Sequence, residues 1–166
     1  MTATQLLLRR AAWPLATAML ALAFAPVPAA AADEATMINP ADMKWGPAPP
    51  SLPKGAQVAV LYGDPGKAGP FVMRLKAPAG YRIPPHTHTQ TENLTVISGA
   101  LYLGMGEKAD PATAHPLKAG AFHYLPGKTA HFAFAKAPTI VQVHGEGPFD
   151  INYLNPADDP AKAAGK

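Results

Sequence analysis

Three polar side chains stand at chemically useful spacing in "HTHTQTE": His86, His88 and Glu92. On an extended strand alternate residues share a face, so the two histidines can converge on one point. Taken alone, the pair fits two exposed polar residues on a half-buried strand equally well. Four other histidines lie downstream. His131 follows "LPGKTA", His123 sits between Phe122 and Tyr124, His144 ends "TIVQVH", and His115 precedes Pro116 in a loop. His123 alternates with Leu125. His144 shares a face with Gln142, which suits a polar cavity lining and makes it the better acid or base beside a site. The chain has no cysteine, so any metal centre must use nitrogen and oxygen ligands, and disulfides are excluded.

The elements that must position these residues are short. Proline and glycine interrupt the chain too often for long helices. Apolar segments at 56–62, 71–76, 94–97, 101–105, 121–125, 132–134, 139–144 and 149–154 each end in turn residues, the pattern of an all-β sandwich or barrel. Residues 1–32 read as a secretory signal peptide. Arg9 and Arg10 precede a short apolar run, followed by small residues, and Pro14 interrupts a run already too short to span a bilayer. The expected location is therefore periplasmic or extracellular. Residues 33–55, rich in proline, form an extended arm, and 156–166 a flexible polar tail.

Removing residues 1–32 takes away two arginines, so the formal charge falls from +3 to +1. No basic cluster remains, and neither nucleic acid nor an anionic membrane surface is an expected partner. Only Arg74 and Arg82 are left to clamp a carboxylate, although single arginines are more often surface groups.

Gly80, five residues, His86, one, His88, three, Glu92, six and Gly99 together resemble the first signature of the cupin superfamily. "GAFHYLPGKTAHFAFA" resembles the second, with Gly120, Pro126 and His131 in register. Two positions depart: Lys128 stands where a second glycine is usual, and Ala135 where asparagine is frequent. Lys128 implies a different turn, because glycine would tolerate positive φ there.

The resemblance implies a double-stranded β-helix (jelly-roll) barrel over residues 56–155. It also implies one divalent transition metal (Fe, Mn, Zn, Ni or Cu) on His86, His88, Glu92 and His131. The expected function is a small-molecule metalloenzyme, dioxygenase- or decarboxylase-like, acting on a small oxygenated compound, with His144 as the catalytic candidate. The alternative is a non-catalytic binding or sensing module, since some cupins attached to anti-sigma factors bind zinc and signal. If His131 points inward, Phe132 and Phe134 point outward and need a cover. A homodimer is the expected cover, with arm packing as the other explanation.

Overall fold

The computed structural model describes residues 35–163, so the signal-peptide assignment of 1–32 lies outside the described residues. Among the described residues, eleven antiparallel strands form two sheets. They are β1 (Gly46–Pro47), β2 (Gln57–Tyr62), β3 (Gly69–Ala77), β4 (Arg82–Thr87), β5 (Glu92–Ser98), β6 (Ala100–Met105), β7 (His115–Lys118), β8 (Phe122–Leu125), β9 (His131–Ala135), β10 (Thr139–Gly147) and β11 (Asn152–Tyr153). One sheet runs β1-β2-β3-β10-β5-β8 and the other β11-β4-β9-β6-β7. No helix among the described residues is long and apolar enough to cross a membrane.

The closed barrel implied by the resemblance is not formed. Neither sheet closes on itself, and the molecule is an open two-sheet jelly-roll. Closure needs continuous hydrogen bonding between terminal strands. Here β1 and β11 are two residues long, and Pro47 and Pro116 remove donors from the terminal strands β1 and β7. Evenly spaced short strands suit a closed barrel and a sandwich equally, since both need one apolar face per strand.

That face is clearest on β10, where Thr139, Val141 and Val143 are buried and the intervening Ile140, Gln142 and His144 only half so. With Phe71, Leu75, Leu94, Val96, Leu101 and Ala133 they form the core between the sheets. The proline-rich arm packs on this scaffold. Trp45 lies under the Lys76 ammonium at 4.2 Å, and Ala48 and Leu52 pack against the core. The Tyr81 and Tyr153 hydroxyls donate to the carbonyls of Pro53 and Ser51 at 2.9 and 2.8 Å. The C-terminal segment forms a 3-10 turn, Pro156–Asp158, whose N-terminal Ala157 amide is capped by the Asn155 side chain.

Phe132 and Phe134 do face away from the interior, but their own sheet buries them, to 2 % and 5 % exposure. Phe134 stacks on Tyr102 of the neighbouring β6 at 4.9 Å, with the Arg82 guanidinium 5.4 Å from its ring. The Phe132 ring lies across Gly104, where a Cβ would overlap it. These two aromatics therefore need no second subunit. Among the described residues the exposed large aromatics are Phe122 and Tyr124 on the edge strand β8.

Candidate metal centre

Two prolines set the phase of β4. Ile83 faces the core opposite Ala133, and simple alternation would bring Pro85 to that face next. A bulge at Pro84-Pro85 inserts one extra residue, so His86 turns inward directly opposite His131. Proline suits this position because a bulge leaves an amide unpaired. His88 lies just beyond the strand end, and the three rings gather edge-on or tilted into one buried group. The His86 and His131 centroids are 4.1 Å apart, and those of His86 and His88 are 4.9 Å apart.

Backbone carbonyls select the tautomers. His86 Nδ1 donates to Pro84 O at 2.7 Å, His131 Nδ1 to Thr129 O at 3.0 Å, and His88 Nδ1 to Asp150 O. A carbonyl only accepts, so each Nδ1 carries the hydrogen and each Nε2 presents a lone pair. Ligand nitrogens of the three residues lie within 4.8 Å of one another, and His88 Nε2 is buried without a partner. Burial, then the neighbouring His131 and His88, push His86 down to about 3, and burial also lowers His131. Both rings are thus neutral at physiological pH and free to ligate.

Glu92 opens β5 and is 7 % exposed. Its Oε2 accepts a hydrogen bond from His123 Nε2 at 2.9 Å and lies 3.5 Å from His131 Nε2, while Oε1 lies 3.8 Å from His88 Nε2. Burial works to raise this carboxyl, but the His123 hydrogen bond and the surrounding imidazoles outweigh it and hold the group at about 2. Lone pairs facing a carboxylate without a proton between them repel. Ligands each about 2.0–2.2 Å from one ion sit roughly 3–3.6 Å apart at octahedral or tetrahedral angles, close to these separations. The donor set fits a divalent ion. The buried His86, His88 and His131 cluster is positioned to coordinate a single one.

The second histidine pair resolves differently from expectation. His123 faces inward from β8 with its alternation partner Leu125, and it is the residue that reaches Glu92. His144 lies on the outer face of β10, where its neighbour Val143 turns to the interior, so the structure does not bring it to the cluster. Gln142, which favoured His144 in the sequence, accepts from Arg74 Nε at 3.1 Å on that outer face. A polar alternation partner marked the outside of the sheet, and the apolar Leu125 marked the inside. Lys128 also departs from expectation. It adopts φ +67°, the left-handed geometry glycine would have supplied, and its amide donates to His88 O at 2.7 Å. The turn is retained with a strained residue in it.

A cavity of about 270 Å³ opens onto the cluster. Leu52 from the arm, Met73, Leu75, Ile83, Val143, Phe149 and Ile151 form its apolar walls, and His86, His88, Glu92 and Asp150 its polar side. Among the described residues, no arginine or lysine lines it. The loop after β10 shapes the mouth. Phe149 stacks on His88 at 4.4 Å, and the Asp150 carboxylate accepts from the Thr89 amide, the Thr89 hydroxyl and Asn152 at 2.6–2.8 Å. These bonds hold Asp150 below its usual value despite partial burial. Because Asp150 also presents the carbonyl that orients His88, Asp150→Ala should loosen a metal ligand from outside the cluster. The expected result is a roughly 10-fold loss of metal affinity, read by competition with a chromophoric chelator, with faster amide exchange over 147–153. Unchanged affinity would show that the loop plays no part in holding His88.

The comparisons agree with this geometry. The profile of the ChrR cupin-like domain matches residues 33–150. No curated protein matches in sequence. Among solved structures, the polyketide cyclase RemF from Streptomyces resistomycificus aligns with a TM-score of 0.64 and 14 % identity, over 80 % of this chain and 94 % of that one. A candidate acetylacetone dioxygenase from Methylibium petroleiphilum PM1 aligns at 0.59 and 16 % identity, over 77 % and 86 %. An RmlC-like cupin from Ralstonia eutropha JMP134 aligns at 0.57 and 23 %, over 76 % of each chain. At these identities the structural matches speak for the shared fold, and the profile spans most of the chain. With paired sheets, a buried three-histidine cluster and both signatures in place, the chain belongs to the ChrR cupin-like domain family of the cupin superfamily.

Proposed function

We propose that this protein is a mononuclear metalloenzyme, dioxygenase-like, acting on a small uncharged carbonyl compound that can enolise. The carrying observation is the cavity itself: apolar walls lead to His86 and His88 of the buried cluster, and no cationic side chain among the described residues lines the way. A carboxylic acid would pass the ionised Asp150 as an anion, with no lysine or arginine among the described residues lining its path to the cluster. A neutral diketone pays no such electrostatic cost. A divalent ion held by His86, His88 and His131, with Glu92 as fourth ligand, supplies Lewis acidity and, for iron or manganese, redox chemistry. The chain's own part is to exclude water with Leu52, Met73, Val143 and Phe149 and to hold the imidazoles neutral. Acetylacetone, for which the Methylibium protein above is named as a candidate dioxygenase, is a diketone of the same class.

The test is metal analysis followed by dioxygen uptake on protein reconstituted with Fe(II) or Mn(II). Neutral 1,3-diketones should be turned over with kcat/KM at least about 10-fold above carboxylates of matched size, a difference of about 1.4 kcal/mol. Preference for the carboxylates would overturn the substrate class. The second reading, a non-catalytic binding or sensing module, is favoured by the nearness of Glu92 to the cluster, since four ligands saturate a tetrahedral zinc. Stoichiometric zinc with no oxygen uptake in any metal form would decide for it.

A further inference from the structure

A second void lies behind the cluster, on its core side. It measures about 50 Å³ and touches His86, Glu92, His123 and His131 at one end. It shares Leu75, Ile83 and Val143 with the outer cavity, and its remaining walls stand one layer deeper in the sheets. Leu94 is two residues beyond Glu92 on β5, and Ala133 two beyond His131 on β9. Val141, two residues before the Val143 that walls the outer cavity, belongs to this inner layer.

The space would admit a water, which needs only about 10–15 Å³, but a buried water also needs two to four polar partners. The chamber offers few. Glu92 Oε2 already accepts from His123, and each Nδ1 of His86 and His131 is bonded to a carbonyl. Among the non-ligating atoms of its lining residues, His123 Nδ1 is buried without a partner. An apolar void of this kind stays dry and takes up apolar guests. Since a cavity of roughly 150 Å³ admits benzene, this one suits a far smaller guest.

We propose that the chamber is a binding site for dioxygen, holding it against the histidine cluster from the core side while the organic substrate enters from the outer cavity. Val141 then sets the capacity for the gas without touching the outer cavity. The proposal rests on the oxygenase reading for its biological guest, but the chamber can be tested without turnover.

Xenon serves as the probe. Metal-loaded crystals of the full chain under xenon pressure should show xenon among Leu94, Ala133 and Val141. Val141→Ile, which adds one methylene and keeps the β-branched shape, should lower its occupancy at least threefold. In solution, 129Xe NMR should report the same loss. In turnover, Val141→Ile should raise the KM for dioxygen several-fold and leave the KM for the organic substrate unchanged. Xenon in the outer cavity alone, xenon nowhere, or an ordered water filling the chamber would overturn the proposal. If Val141→Ile does not fold, the wild-type xenon position decides alone. Xenon seated in the chamber of a protein that consumes no oxygen would support the gas site and sink the oxygenase reading; oxygen consumption with no xenon seat would do the reverse.

Discussion

His86→Ala should abolish useful metal binding, with affinity falling further than the roughly 100-fold that changes around a ligand set produce. The reason is geometric. His86 stands opposite His131 in the β4–β9 register, and its Nε2 is one of the three lone pairs that make the cluster. At 2 % exposure, water cannot readily replace it. Binding that favours only the folded state adds about 2.7 kcal/mol at a free metal concentration 100 times Kd, roughly 8 °C in melting temperature for a domain of this size. Wild-type protein should show that rise and His86→Ala should not. The metal-free proteins should differ in their acid response. The His86 pKa in the fold is about 3, below its ordinary 6.5, so the neutral ring contributes stability fully above about pH 6.5. That contribution is lost as pH falls from 6.5 toward 3, because protonation then favours the unfolded chain. His86→Ala should flatten the stability curve in that window. Stoichiometric metal retained within tenfold of wild-type affinity would refute the assignment.

How much of this was legible in the chain follows from what each residue signals locally. His86, His88 and His131 were readable because their spacing is part of two ordered signatures, and their convergence needs only strand alternation and one cross-strand register. The bulge that turns His86 inward was not read, although Pro84-Pro85 announces it: two residues without amide hydrogens cannot continue a ladder. The strands β4 and β7 were missed because Pro84, Pro85 and Pro116 argue against central strands. Both belong to the smaller sheet, where β7 is an edge and β4 has only the two-residue β11 beyond it on one side. Closure into a barrel was misjudged because strand length and apolar alternation say nothing about whether terminal strands meet. Lys128 was misjudged because a residue's φ preference was allowed to decide the turn, whereas the His88 carbonyl and the fixed strand ends decide it. The choice of His144 over His123 rested on its polar neighbour, and burial follows the apolar neighbour instead.

His123 therefore carries the second large prediction. Among the described residues its Nε2 is the hydrogen-bond donor to the Glu92 carboxylate, and its own Nδ1 has no partner, so one 2.9 Å contact joins two buried ionisable groups. His123→Ala removes the donor and leaves a buried carboxylate uncompensated, at a cost of about 3–5 kcal/mol in the metal-free protein. His123→Gln should recover part of it, because the amide nitrogen can donate from a similar distance. Urea melts at pH 7 of His123→Ala, Glu92→Gln and the double variant would isolate the pair. A coupling of at least about 1.5 kcal/mol is expected, and additive losses would dissolve the assignment. The pH dependence gives a second readout. The Glu92 carboxyl sits at about 2, below its ordinary 4.5, so its contribution is complete above about pH 4.5 and lost as pH falls toward 2. Without His123 the carboxyl rises, and the acid limb of the variant starts from a lower plateau and is shallower across that range. Metal affinity should fall by about 10–100-fold in His123→Ala, the scale of an outer partner that orients a ligand. Loss of stability with metal affinity unchanged would mean that His123 only neutralises burial; loss of both means that it aims Glu92 at the ion.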